Sequence, residues 1–256
     1  MVSQIASFVN EGLGHSSYLV DLGDGTALVI DPARIPTAQV ACAAERGLRI
    51  AYTADTHTHA DYVSGSPDLA APGATFLAPA AARLNRDYVG LVDGEVVEVG
   101  RYRLGAIATP GHTPDHLSYL LSDDGGPVAL FSGGSLMVGT VGRTDLLGDE
   151  HREELAHEMY RAVTQQILTL PDDLPVYPTH GAGSFCSAPG GGDRTTTIGH
   201  ERATDPLLSM GEDGLRHPSS RRARVVPRLL PSPAVDQPGR PTAVRRRPSP
   251  RPADPR

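Results

Sequence analysis

Not one of the 256 residues is lysine, so the fixed positive charge of the chain is carried by 23 arginines. Without lysine, the glycine-rich stretch APGGGDRTTTIG at 188–199 lacks the residue that reaches the phosphates in a nucleotide cradle, and it reads as a flexible loop. Cysteine is nearly absent too. Cys42 and Cys186 are too few and too far apart for a disulfide framework, which leaves any chemistry by either to a free thiol. Cys42, inside AQVACAAERG, reads as plain helix packing. No run approaches the roughly 18 apolar residues of a spanning helix, and the start MVSQIASFVNEG has neither the basic nor the apolar segment of a signal peptide. A cytoplasmic protein without a membrane partner is expected.

Each of two regions is poor in charge of one sign. Residues 1–216 carry 13 Arg against 28 acidic residues, a net of −15, whereas residues 217–256 carry 10 Arg against 2, a net of +8. The basic part holds 10 prolines and no aromatic ring to stack on a base. Its composition predicts solvated disorder and no nucleic-acid partner. An Arg, Pro, Ala and Ser bias in a lysine-free chain is also what a GC-rich gene yields when read out of frame. The expected organisation is a folded domain over 1–210 and a disordered tail over 211–256.

What is present begins with THTHADYVSG, residues 56–65. In an extended segment side chains repeat every two residues, so His57, His59 and Asp61 converge on one side. Two imidazoles and a carboxylate so placed make a metal-ligand pattern, although one such match also arises by chance. Asp24-Gly25 in GHSSYLVDLGDGTALVIDP predicts a hairpin with strands over 17–22 and 26–31. PTAQVACAAERG predicts a helix stopped at Gly47, and RIAYTADTHTHAD a strand running out into the histidine cluster. Further strands are read in GEVVEVG, RYRLGAIATPGHT and HLSYLLSDDGGPVALFSGG. Leu155, Met159, Val163 and Ile167, at four-residue steps, predict a helix over 149–168 whose apolar stripe is core. LPVYPTHGAG predicts a short strand delivering His180. Three strand ends thus present histidine: His57 with His59, His112 in TPGHTPDH, and His180 in YPTHG. Chance explains one of them and strains at three.

H-x-H-x-D, T-P-G-H-T, F-S-G-x-S-L followed by G-R-T-D, and P-T-H-G occur in that order over residues 2–205. Together they resemble the metallo-β-lactamase fold family, and within it the glyoxalase II and persulfide dioxygenase branch, some of whose members are fused to rhodanese domains. The resemblance implies an α/β protein, a four-layer α/β/β/α sandwich with its metal site along one edge. It implies a first metal position on His57, His59 and His112. A second position is implied on Asp61, the residue after it and His180, with the aspartate of F-S-G-D bridging both. This chain departs twice, with Tyr62 in place of a histidine and Gly134 in place of the bridging aspartate. Glycine offers no oxygen and neutral tyrosine is a poor ligand. One divalent metal ion is therefore expected, Fe(II) first and Zn(II) as the alternative.

With iron, the resemblance implies dioxygenation of a small, glutathione-like thiol persulfide to sulfite and thiol, with His57 and His112 as ligands and His59 or Asp61 as the third. Tyr62 is then placed to donate a hydrogen bond to bound oxygen, or simply to pack. With zinc on His57, His59 and His112, it implies a thioester hydrolase with Asp61 as general base. Gly134 and Tyr62 also motivate a third reading, a degenerate member that acts through a partner. Arg143, in GRTDL with Asp145, is a candidate contact for a substrate carboxylate or half of an internal salt bridge. Cys186, six residues after His180, is a candidate persulfide carrier at the mouth of the site. A homodimer is compatible with the family.

Overall fold

A computed structural model describes residues 4–181, 184, 193–205 and 208. Cys186 and the expected tail over 211–256 lie outside the described residues. Six strands form a first sheet in chain order: β1 (Ile5–Asn10), β2 (His15–Asp21), β3 (Thr26–Ile30), β4 (Arg49–Ala54), β5 (Thr75–Pro79) and β6 (Val89–Leu91). The first three are antiparallel, and β3 to β6 run parallel. The second sheet holds β7 (Val96–Val99), β8 (Tyr102–Ala108), β9 (Leu117–Asp123) and β10 (Gly126–Gly133). After a small ribbon of β11 (Leu136–Met137) and β12 (Thr140–Val141), it is completed by β13 (Pro175–Pro178), parallel to β10, and β14 (Thr196–Thr197). The helices are α1 (Thr37–Glu45), α2 (Ser66–Ala70), α3 (Arg152–Gln165) and α4 (Ile198–Thr204).

Alternation of side chains along the strands sorts them into layers. Tyr18 and Val20 join Leu104, Tyr119, Leu121 and Phe131 in a core between the two sheets, whereas Leu19 joins Ala43 of α1 and Leu69 of α2 on the outer side. On the second sheet, Phe131 faces the inner core and Leu130 packs with Met159 and Val163 of α3. The layers are α/β/β/α, as the resemblance implies.

The Asp24-Gly25 hairpin forms. Gly25 takes φ +83°, and the Asp24 carboxylate accepts from the Thr26 amide at 2.9 Å. β2 starts at His15, earlier than expected, because β1 pairs with it as far as Asn10 opposite His15. β1, β5 and β6 were not announced by the pattern. The expected 149–168 helix is shorter. Gln166 leaves helical backbone at φ −120° and its side-chain amide reaches the Ala108 carbonyl, so Ile167 enters a 3-10 turn while remaining buried with Met159 and Val163.

Candidate metal centre

The strand ends that carry histidine meet along one edge where the sheets are tied together. The Ser16 amide donates to the Thr179 carbonyl at 2.7 Å, and the Leu117 amide to the Thr56 carbonyl at 2.8 Å. His57 follows β4, His112 follows β8 and His180 follows β13. His57, His59 and His180 each offer a nitrogen within 4.8 Å of the others. The His112 ring lies next to them, its centroid 5.0 Å from that of His57 and 5.1 Å from that of His180. The trio brought closest thus holds His180 where the motif resemblance has His112.

The hydrogen bonds decide which nitrogens keep lone pairs. Thr56 Oγ1 gives its proton to Asp31 Oδ2 at 2.7 Å, so at its 2.8 Å contact with His57 Nδ1 it accepts. His57 therefore carries its proton on Nδ1 and its lone pair on Nε2. His112 Nδ1 donates to the Arg143 carbonyl at 2.9 Å, which leaves Nε2 unprotonated. His59 Nε2 lies 3.2 Å from Asp31 Oδ1, which leaves Nδ1 buried without a hydrogen-bond partner.

His57 Nε2 and His180 Nε2 are 3.2 Å apart. If His180 donates across this gap, its Nδ1 accepts from Ser184 Oγ at 3.3 Å while lying 3.5 Å from the Asp61 carboxylate. If it donates to Asp61 instead, two lone pairs confront each other. In either tautomer lone pairs and a carboxylate crowd together where a cation would be welcome, and ligands about 2.0–2.1 Å from one metal ion lie at comparable mutual spacing. The Asp61 side chain is buried and neither oxygen accepts a hydrogen bond. A buried carboxylate in that condition is costly. These residues fit one divalent cation.

Gly134 lies against this cluster. A Cβ built on it falls 2.4 Å from His112 Cδ2 and 3.0 Å from His112 Nε2, so imidazole fills the room beside the missing side chain. The positive φ belongs to Gly133, at +58°. The Tyr62 hydroxyl is 2.9 Å from His59 Nε2 and 3.4 Å from the Asp31 carbonyl, and its ring stacks on His59. Arg143 Nε donates to Asp145 Oδ1 at 2.6 Å, and that arginine's carbonyl orients His112.

Four residues at this edge escaped sequence reasoning. Asp31, fully buried in left-handed backbone (φ +48°), gathers Thr56, Thr179 and His59 on one carboxylate. A carboxylate closing the apolar strand ALVIDP was its signal. His116 packs against His57 with centroids 4.8 Å apart and accepts from the Gly134 amide at 2.9 Å. His15 Nε2 contacts the Asp31 carbonyl at 2.9 Å. Asp55 accepts from Ser64 and Ser66 at 2.9 and 2.6 Å.

Burial sets the charge states. It lowers the pKa of His112 to about 4 and that of His116 to about 3, and with the neighbouring imidazoles it holds His57 and His180 well below 6.5. Neutral imidazole is the form that binds metal. For His59, burial is outweighed by Asp31, Asp55 and Asp61, and its pKa rises. That same negative field favours a metal cation. Asp55 is pushed up to about 6 by burial.

No family model matches the chain. It is 31% identical to bovine persulfide dioxygenase ETHE1 over 201 residues, 76% of this chain and 72% of the relative. Against the human protein of that name it is 32% identical over 168 residues, spanning 59% of that relative's length. It is 35% identical to a hydroxyacylglutathione hydrolase of a Polaromonas species over 164 residues, 61% of this chain and 57% of the relative. The crystal structure of ETHE1 from Myxococcus xanthus superposes with a TM-score of 0.73 at 28% identity, covering 88% of this chain and 92% of that one.

Proposed function

From the premise that this chain belongs to the metallo-β-lactamase-fold superfamily, in its persulfide dioxygenase and glyoxalase II-like branch, we propose that it is an iron-dependent persulfide dioxygenase. A small thiol persulfide, dioxygen and water would give the thiol and sulfite. The observation that carries this is the 3.2 Å approach of His57 Nε2 to His180 Nε2 beside a buried Asp61 carboxylate that accepts no hydrogen bond. His57, His59 and His180 hold the ion in this reading, with His112 Nε2 beside them. Bound iron would supply the redox chemistry between dioxygen and the persulfide sulfur. Asp31 keeps the lone pairs of His57 and His59 available, directly and through Thr56. Asp61 accepts the proton shed by the substrate sulfhydryl. Tyr62, engaged with His59, steadies a ligand. With no carboxylate at 134, one ion is expected and not two.

A zinc thioester hydrolase is the second reading, favoured by the neutral imidazoles of His57, His112 and His180 with the Asp61 carboxylate nearby to act as base. Metal analysis after anaerobic loading, with oxygen uptake on a thiol persulfide and thioester hydrolysis run in parallel, separates the two. Iron with oxygen uptake supports the dioxygenase, and zinc with hydrolysis its rival. Absence of stoichiometric metal under both conditions would overturn both and favour a non-catalytic member acting through a partner. His112→Ala is expected to lower metal affinity in either case.

A further inference from the structure

The turn at Gly133 and Gly134 meets the segments that carry His57, His112 and His180. The Thr179 amide, next to His180, donates to the Gly133 carbonyl at 2.9 Å. A Cβ on Gly134 would fall on the His112 ring. One on Gly133 would fall 2.4 Å from His116 Nε2 and 2.6 Å from Thr56 Oγ1, the hydroxyl that accepts from His57 Nδ1. The Gly134 amide donates to His116 Nε2 at 2.9 Å, and the His116 ring stacks on that of His57. His116 therefore ties the turn to the His57 ring.

Buried hydroxyls behind His116 fix which of its nitrogens carries the proton. Ser135 Oγ gives its proton to the Ser132 carbonyl at 2.7 Å, so at its 3.1 Å contact with Ser118 Oγ it accepts. Ser118 in turn accepts from Thr109 Oγ1 at 2.9 Å, and Thr109, its own proton used, accepts from His116 Nδ1 at 2.7 Å. The Gly134 amide leads to the same answer from the other side, because a ring nitrogen that accepts from N–H carries no proton. Both ends require a neutral imidazole protonated on Nδ1. His116, Thr109, Ser118 and Ser135 are all buried. The chain ends on a carbonyl, which has no proton to pass on, so it fixes an orientation and does not conduct protons. We propose that His116 is a positioning residue of the metal centre: held in one tautomer, it keeps the Gly133–Gly134 turn and the His57 ring at the spacing at which His57 and His180 meet one cation. This rests on the reading of the histidines given above, to which it adds a residue that binds no metal and sets the spacing of those that do.

Co(II) added alone to the full chain is the probe, read by chelator competition and by the visible spectrum of the bound ion. His116→Leu, which offers the Gly134 amide no acceptor, is expected to bind Co(II) about 10–100-fold more weakly, the range that supporting residues of a metal site command, and to alter the spectrum. His116→Gln, whose amide oxygen can stand where Nε2 stands, should retain most of the affinity and the parent spectrum. Thr109→Val keeps the ring but removes the acceptor for Nδ1–H. It should fall between the two, and it takes the place of His116→Leu if that variant does not fold. Nitrogen NMR of the imidazoles in the metal-free full chain reads the tautomer directly, and His116 should carry its proton on Nδ1. A proton on Nε2, parent affinity and spectrum in His116→Leu or Thr109→Val, or a His116→Gln weaker than Thr109→Val would each overturn the proposal. A parent protein that takes up no Co(II) overturns the metal-centre reading and this role with it, whereas a binding parent with unaffected variants overturns the role alone.

Discussion

Gly134 stands where the motif resemblance implies a bridging aspartate, so one side chain is at issue. Its backbone is not left-handed, so an aspartate there carries no φ penalty. The obstacle is the His112 ring, 2.4 Å from the added Cβ. Gly134→Asp must therefore displace an imidazole held by the Arg143 carbonyl. Without metal, the variant is expected to lose roughly 1–3 kcal/mol by overpacking. With metal, its affinity should rise at least about tenfold, a change that even supporting residues of a metal site can produce. Chelator competition and paired melts with and without metal read both effects. Lost stability with no gain in affinity would mean that position 134 supports His112 without facing the ion.

At the scale of elements, α3 presses on the loop that carries His112. Gly111 sits at φ +137°, and a Cβ on it would fall 2.4 Å from Met159 Cβ and 2.8 Å from the Leu155 carbonyl oxygen. Only glycine allows helix and loop to approach so closely. Gly111→Ala should destabilise the protein by about 2–4 kcal/mol, from overpacking with backbone strain. It should also weaken metal binding, because the residue it displaces adjoins His112. Metal titration of the folded variant checks this. Unchanged affinity would show that the loop absorbs the shift and that α3 does not position the ligand.

For the whole molecule, the buried histidines predict how metal-free protein responds to acid. In the unfolded chain each imidazole titrates near 6.5, whereas burial brings His15 and His112 to about 4 and His116 to about 3, with His57 and His180 also lowered. Between these values the unfolded state binds more protons, so stability falls as pH drops from about 6.5 towards 4. Asp55, raised to about 6, and His59, raised by Asp31, run the other way because there the folded state holds the proton more tightly. Five lowered imidazoles outweigh these two. Denaturant midpoints of metal-free protein should therefore decrease steadily over that window. A flat profile would mean that the imidazoles are already charged or exposed.

Much of this fold and part of its edge could be read along the chain, because local rules govern them. Alternation in SSYLV and HLSYLL announced strands with one face in each of two cores, and Asp24-Gly25 could close a hairpin whatever lay elsewhere. His57, His59 and Asp61 share one local segment, so their grouping was visible too. β1, β5 and β6 carry weak patterns of their own and exist through pairing with neighbours. Only the tertiary structure could join Asp31 to Thr56, 25 positions away, and to Thr179, 148 positions away, on one carboxylate. It also packed His116 against His57 and turned His15 towards Asp31. Side-chain period and turn chemistry depend on a few bonds of backbone. Which carboxylate meets which imidazole depends on how two whole sheets stack, and no local pattern encodes that.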